Sequence, residues 1–269
     1  LSNLSENIKK SPEIPNNYWY YWNYMYQLGR TSVVPYLQQY NAFKKGFKVA
    51  EIGSAEGGVL MACVESGAVE ALGTDIAVDR LLMGEKIAKV GGLDIQYDEH
   101  NIITEEPKNQ WRENFDLVLL RDVIEHLDYT EIALKNIRKI IKKDGFLFVT
   151  FPPYHSPFGG HQHTVASLGG KFPYIHLLPD FIFHKLIEKG RQNDIGEVKR
   201  LQNIRLTPAK FEKAALAAGF SIYKNDFYFL RPVFKMKFGL PAIKSTALSW
   251  IPGVKQFASL EACYILQNK

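Results

Sequence analysis

From residue 47 onward, short apolar runs and helical stretches take turns along the chain, and this alternation limits the fold more than any other feature. Residues 47–52 form an apolar run that enters a glycine-rich turn, Gly53-Ser54-Ala55-Glu56-Gly57-Gly58. Residues 58–66 read as a helix, 69–75 as a second strand and 78–90 as the next helix. A polar third strand is expected over 95–101 and a strongly apolar fourth over 115–120. The helix expected over 130–141 runs into Lys142-Lys143-Asp144-Gly145, basic residues at the last turn and then a terminating glycine. Residues 146–151 are the fifth strand. Such alternation predicts an α/β fold, a parallel sheet with helices on both faces. Ligands of these sheets bind at the carboxyl ends of the strands. The informative loops therefore follow Ile52, Asp75, Asn101, Leu120 and Phe151.

After Phe151 the rhythm breaks. Residues 152–206 are rich in Pro and Gly, with short helical pieces such as 180–189. Thr207-Pro208 then opens a helix over 209–218, with Thr as cap and Pro in the first turn; Gly219 ends it. Residues 220–224 and 262–267 read as the last two strands. Upstream, residues 18–26, YWYYWNYMY, form an aromatic helix that should be buried or cover a ligand. The expected organisation is an N-terminal helical lid over 1–45 and one domain over 46–269. Insertions on its substrate side span about 152–206 and 227–260.

Bulk composition excludes several classes. Hydrophobic residues make up 46% and charged residues 23%, enough for a sizeable core. Cys63 and Cys263 are the two cysteines, so neither a disulfide framework nor a CxxC zinc pattern exists. No apolar stretch approaches the roughly 18 residues of a membrane span, and the polar N-terminus shows no signal-peptide core; a cytoplasmic protein is expected. The net charge of +5 is too small for a nucleic-acid binder. It concentrates in 227–260, where Arg231, Lys235, Lys237, Lys244 and Lys255 stand without an acid. Interleaved with Phe, Tyr, Trp and Met, they suit an anionic or lipid-linked acceptor and contact with a membrane surface. A cationic lid with its aromatics packed inward fits the same pattern.

The loops carry the chemistry. Read as GxGxxG, the first has Ala55 in the middle place and is a weak dinucleotide match. Glu51 and Glu56 flank it, and Glu56 would face a pyrophosphate unfavourably. Asp75, at the tip of the second strand, is placed to accept ribose hydroxyls. The segments EIGSAEGG, GTDI, FDLVLLRDVIEHL and KKDGFLFVTF, in this order and spacing over residues 47–151, resemble class I S-adenosylmethionine-dependent methyltransferases. More narrowly they resemble the methyltransferase type 11/12-like groups that include ubiquinone-pathway O-methyltransferases.

The resemblance implies a Rossmann-like seven-stranded sheet whose last strand is antiparallel, and S-adenosyl-L-methionine as cofactor. Glu51, Gly53, Ser54 and Gly57 would wrap its methionine part, with Ala55 in place of the family's usual glycine. Asp75 would hold the ribose with Ile76 against adenine. Asn101 and Ile102 would flank the base, and Arg121, Asp122 and Val123 would lie beside the sulfonium end, with His126 nearby.

Methyl transfer to a hydroxyl also requires loss of its proton. Histidine, with an unperturbed pKa of about 6.5, is mostly neutral at pH 7. Against a phenol of pKa about 10, full proton transfer is uphill by roughly 5 kcal/mol, so it should be concerted with methyl transfer. The loop after strand five, FPPYHSPFGGHQH, supplies His155, His161 and His163; these and His126 are the candidate bases. The loop's HxxxxxHxH pattern, with Asp122 or Glu125, could instead hold a divalent ion, or the histidines could only brace the loop. No metal is assigned. The expected activity is O-methylation of a small-molecule, glycan or lipid-linked acceptor. A nicotinamide-dependent oxidoreductase and a non-catalytic cofactor-binding protein are the alternatives.

Overall fold

Leu117, Val118, Leu119 and Leu120 are consecutive in one strand and all fully buried. Side chains of a strand alternate between its faces, so the sheet must be covered on both sides there. The computed structural model describes residues 4–167, 169–251 and 253–269; residues 1–3 of the expected lid and residues 168 and 252 of the two expected insertions lie outside it. The N-terminal segment forms α1 (Leu4–Lys10), α2 (Asn16–Leu28) and α3 (Val34–Gln39). The alternating region follows as β1 (Lys48–Ile52), α4 (Gly58–Glu65), β2 (Glu70–Asp75), α5 (Val78–Gly91), β3 (Gln96–Glu99), β4 (Phe115–Arg121), α6 (Thr130–Ile140) and β5 (Ile141–Phe151). Next come α7 (Asp180–Ile187), α8 (Gln192–Ile204), α9 (Pro208–Ala217), β6 (Phe220–Leu230), α10 (Val233–Phe238), β7 (Ile243–Lys244) and β8 (Glu261–Asn268).

The strands lie in the order β3-β2-β1-β4-β5-β8-β6-β7. β1 to β5 are parallel, and β8 runs antiparallel to both β5 and β6. One face is covered by α4, whose residues 59–63 are all buried, with Trp22, Tyr26 and Leu37 packed in the same cluster. The other is covered by the apolar stripe of α6 (Ala133, Leu134, Ile137 and Ile140) with Phe211 and Ala215 of α9. Each large aliphatic side chain so buried contributes roughly 1.5–3 kcal/mol relative to exposure.

Three differences from the sequence reading have clear causes. The sheet has eight strands where seven were expected, because the two-residue β7 folds back onto Tyr228 and Leu230 of β6. β6 reaches Leu230, well past residue 224, because β8 pairs with it as far as Tyr228, across a register shift between Ile222 and Lys224, and β7 pairs with Leu230. Helix α8 was not anticipated; its buried side Ile195, Val198 and Leu201 recurs at a spacing of three, and Gly196 interrupts the pattern.

Candidate active site

β1 lies between β2 and β4, so the strand order reverses there and a crevice opens at the carboxyl ends. It holds a cavity of about 390 Å³. Every expected cofactor position except Gly57 lines it: Glu51, Gly53, Ser54 and Ala55 from the first loop, Asp75 and Ile76 from the second, Asn101 and Ile102 from the third, and Arg121, Asp122 and Val123 from the fourth.

Asp75 holds the first loop in shape. Its Oδ2 accepts the Ala55 N–H at 2.8 Å and its Oδ1 the Ala77 N–H at 3.0 Å. The loop turns through three left-handed residues, Gly53, Ala55 and Gly57. Only one of them, Ala55, carries a side chain in a region that L-residues disfavour by roughly 1–2 kcal/mol. At Gly53 a side chain would have to displace Val123, since an added Cβ would stand 2.4 Å from one of its methyls. Gly57 packs against the Tyr97 ring and shapes the loop from behind.

Glu51 is buried, and its Oε2 accepts the Leu60 N–H at 3.2 Å near the start of α4. Burial pushes its carboxyl up to about 7, against the nearby Arg121 guanidinium. Glu56 is turned to a different purpose from the one expected. Both its oxygens accept from Arg80, at 2.9 and 2.6 Å, so it does not confront the cavity as a bare charge. Contrary to the expectation from sequence, Glu56 therefore presents no unpaired charge to repel a diphosphate. Arg80 also lies over the Tyr21 ring. Asn101 uses its side-chain oxygen on the Ile103 and Thr104 N–H groups, and among the described residues its amide NH2 has no acceptor.

The four candidate histidines separate. His126 lines the cavity. His161 packs edge-on against it, ring centroids 4.9 Å apart, and His163 lies behind His161 at 5.8 Å. His155 points elsewhere; its Nδ1 accepts from Gln256 at 2.7 Å beside Phe257. The Nδ1–H of His126 donates to Glu197 Oε1 at 2.5 Å. Burial pulls the His126 imidazole down, but Glu197 and Glu125 outweigh it and lift its pKa above the ordinary value. Burial, with His126 and His163 beside it, pushes His161 down to about 3. His176, outside the cavity, bonds the Tyr154 carbonyl and is a buried structural histidine.

Residues 50–147 match the family model described as a methyltransferase domain. They form a class I S-adenosylmethionine-dependent methyltransferase domain. Among curated proteins, a ubiquinone biosynthesis O-methyltransferase of Glaesserella parasuis is 29% identical over 109 residues, 39% of this chain and 45% of that protein. The chain thus spans less than half the length of this relative. Two solved structures share the fold. An S-adenosylmethionine-dependent methyltransferase from Mesorhizobium loti has a TM-score of 0.56 at 13% identity, over 89% of this chain and 99% of that one. The phosphoethanolamine N-methyltransferase 2 of Haemonchus contortus, in complex with S-adenosyl-L-methionine, has a TM-score of 0.54 at 14% identity, over 87% and 51%.

The cavity of the methyltransferase domain fits that cofactor. Ser54 Oγ and two nitrogens of the buried Arg121, Nε and Nη1, have no partner within the described chain although both residues line the space. Polar groups so placed call for a polar ligand. Several lining residues escaped the sequence reading. Tyr21, Tyr24 and Met25 of α2 line the cavity, as does the fully buried Trp22, while Tyr26 of the same helix packs in the core, so the aromatic helix serves core and site together. Arg231 and Lys237 reach in from the segment after β6, and Arg200 from α8. The acid-free run after Phe227 was the available signal for the first two. Arg231 is nonetheless paired, with Asp122 and Glu261, and Lys244 with Asp226, so the strip is less cationic than its sequence.

Proposed function

We propose that the chain is an active S-adenosylmethionine-dependent O-methyltransferase acting on a small-molecule, glycan or lipid-linked acceptor. The observation that carries this reading is the convergence of Glu51, Asp75 and the Arg121–Asp122 pair on one cavity at the tips of three adjacent strands, with His126 at its edge. The cofactor supplies an activated methyl group on a sulfonium sulfur. The protein's part is placement: Asp75 keeps acceptor capacity for ribose hydroxyls, Asn101 offers its amide to the base, and α2 roofs the cavity as a lid. The acceptor's hydroxyl proton is lost beside His126, whose raised basicity narrows the gap to a phenol.

A lipid-linked acceptor finds support on the surface. Phe238, Leu240, Ile243, Leu248, Trp250 and Phe257 are all exposed within the 227–260 segment, next to Lys235 and Lys237. Exposed apolar residues grouped with lysines suit an interfacial contact. No helix among the described residues is long and apolar enough to cross a membrane.

Calorimetric titration with S-adenosylmethionine and S-adenosylhomocysteine tests the cofactor, with NAD in the same experiment as the rival ligand. Binding of the first two and not of NAD is expected; the reverse would sink the reading. Radiolabelled cofactor offered to cell extracts then names the acceptor class.

A further inference from the structure

We infer that Glu125, His126 and His161 form a binding site for a divalent cation of the zinc class, at the edge of the cofactor cavity. Their ligand atoms all lie within 4.8 Å of one another. Glu125 Oε1 stands 3.8 Å from His126 Nε2 and 3.8 Å from His161 Nε2. That separation is too long for a hydrogen bond. It is close to what a shared ion produces, since ligands about 2.1 Å from a tetrahedral metal lie roughly 3.4 Å apart. Loading therefore asks Glu125 to approach each imidazole by a few tenths of an ångström, and draws together the two imidazole nitrogens, which lie within 4.8 Å of each other.

Two independent observations point to a ligand. Glu125 is only 3% exposed, and neither of its carboxylate oxygens has a hydrogen-bond partner among the described residues. A buried carboxyl left so is costly, by several kcal/mol if ionised, and a cation between it and the two imidazoles relieves that cost. The second is Glu197, from α8. By taking the Nδ1–H of His126 it fixes the tautomer whose Nε2 lone pair is free on the side of Glu125. A carboxylate behind a ligating histidine is the usual support of a metal site.

Two imidazoles and one carboxylate select zinc-like ions over magnesium or calcium, which take oxygen ligands. Three protein ligands leave a coordination position open, and His126 borders the cavity, so an acceptor hydroxyl oxygen can occupy it. An ion held there would occupy the Nε2 of His126 and would acidify a neighbouring acceptor hydroxyl, whose proton would then leave to solvent instead of to His126. That service to the acceptor rests on the methyl-transfer reading; the cation site itself does not.

The test uses the whole chain, stripped with a chelator and titrated with Zn²⁺ alone, then with Mg²⁺. One Zn²⁺ per chain is expected, with a rise in Tm, and no comparable binding of Mg²⁺. His161→Ala and Glu125→Gln should weaken Zn²⁺ at least a hundredfold. Glu197→Gln, which removes no ligand, should weaken it tenfold to a hundredfold and carries the test if either ligand variant loses its fold. His184→Gln, on α7, should change nothing. Absence of Zn²⁺ binding, or binding indifferent to all three cluster variants, overturns the site. S-adenosylhomocysteine titrated in parallel separates the two claims: its binding without Zn²⁺ refutes only the ion, and Zn²⁺ binding without it refutes only the methyl-transfer reading.

Discussion

Arg231 Nη2 lies 2.6 and 2.7 Å from the two carboxylate oxygens of Asp122, a residue 109 positions earlier in the chain. Its Nε reaches Glu261 Oε2 at 2.8 Å. One guanidinium thus ties the turn after β4 to β8 and to the segment after β6. Burial would raise the Asp122 carboxyl, yet Arg231 and Arg121 hold it below its ordinary value. Asp122 also sits in the left-handed region, a conformation the pairing helps to hold.

Arg231→Ala should therefore cost about 3 kcal/mol of stability, chiefly because it strips the buried Glu261 of its partner, while the partly exposed Asp122 keeps Arg121 nearby. It should also weaken S-adenosylhomocysteine at least tenfold. Arg231→Lys keeps the charge but cannot reach both acids with the same fork, and should fall between. Urea unfolding and calorimetry measure the two effects; an Ala variant as stable as the parent would contradict the role given to this pair.

Gly53 and Val123 offer a paired test. Gly53→Ala places a methyl where Val123 stands and in a backbone region disfavoured for alanine. A loss of about 2–4 kcal/mol and of cofactor binding is expected. Val123→Ala in the same chain should restore about half of that loss by removing the clash while leaving the backbone strain. Simple additivity of the two single variants in urea unfolding would show that the contact is not what disfavours a side chain at Gly53.

Glu51 should make the cofactor-free protein less stable as pH rises. Its carboxyl stands at about 7 when folded against about 4.5 when unfolded. Between those values the folded state holds a proton that the unfolded state has released, so stability falls across that window. The drop is about 3 kcal/mol. Glu51→Gln mimics the protonated form. It should match the parent at pH 5 and exceed it by about that amount at pH 8, as read by urea unfolding at both pH values. Parallel stability profiles for the two proteins would refute the assignment.

Trp250 is 78% exposed, whereas Trp22 and Trp111 are buried. Mixed phosphatidylcholine–phosphatidylglycerol vesicles should shift tryptophan emission to the blue, and Trp250→Ser should abolish most of the shift. Lys235→Gln should weaken vesicle binding severalfold at low salt, since a lysine near an anionic surface contributes about 1 kcal/mol. Emission unchanged by vesicles would remove the membrane contact and with it the surface argument for a lipid-linked acceptor.

How far the site was legible in sequence follows from the range of the forces involved. Glu51, Asp75 and Asp122 could be placed because a parallel strand delivers the residue past its apolar run to the same edge as its neighbours. The register from Glu51↔Gly73 to Arg121↔Thr150 follows that rule. Glu56 could not be read, because its neutralising partner Arg80 comes from another element. The histidine loop looked uniform along the chain, yet its three histidines face three different surroundings.

By itself the sequence determined the α/β order and the residues at the strand tips, because backbone periodicity and glycine turns act over a few residues. Only the tertiary structure decided that His161 rather than His155 meets His126, that Glu197 bonds its Nδ1, and that Arg231 lines the cavity. Those choices depend on how the two insertions pack against the sheet. Packing energy of that kind is shared among side chains far apart in sequence, and no local pattern carries it.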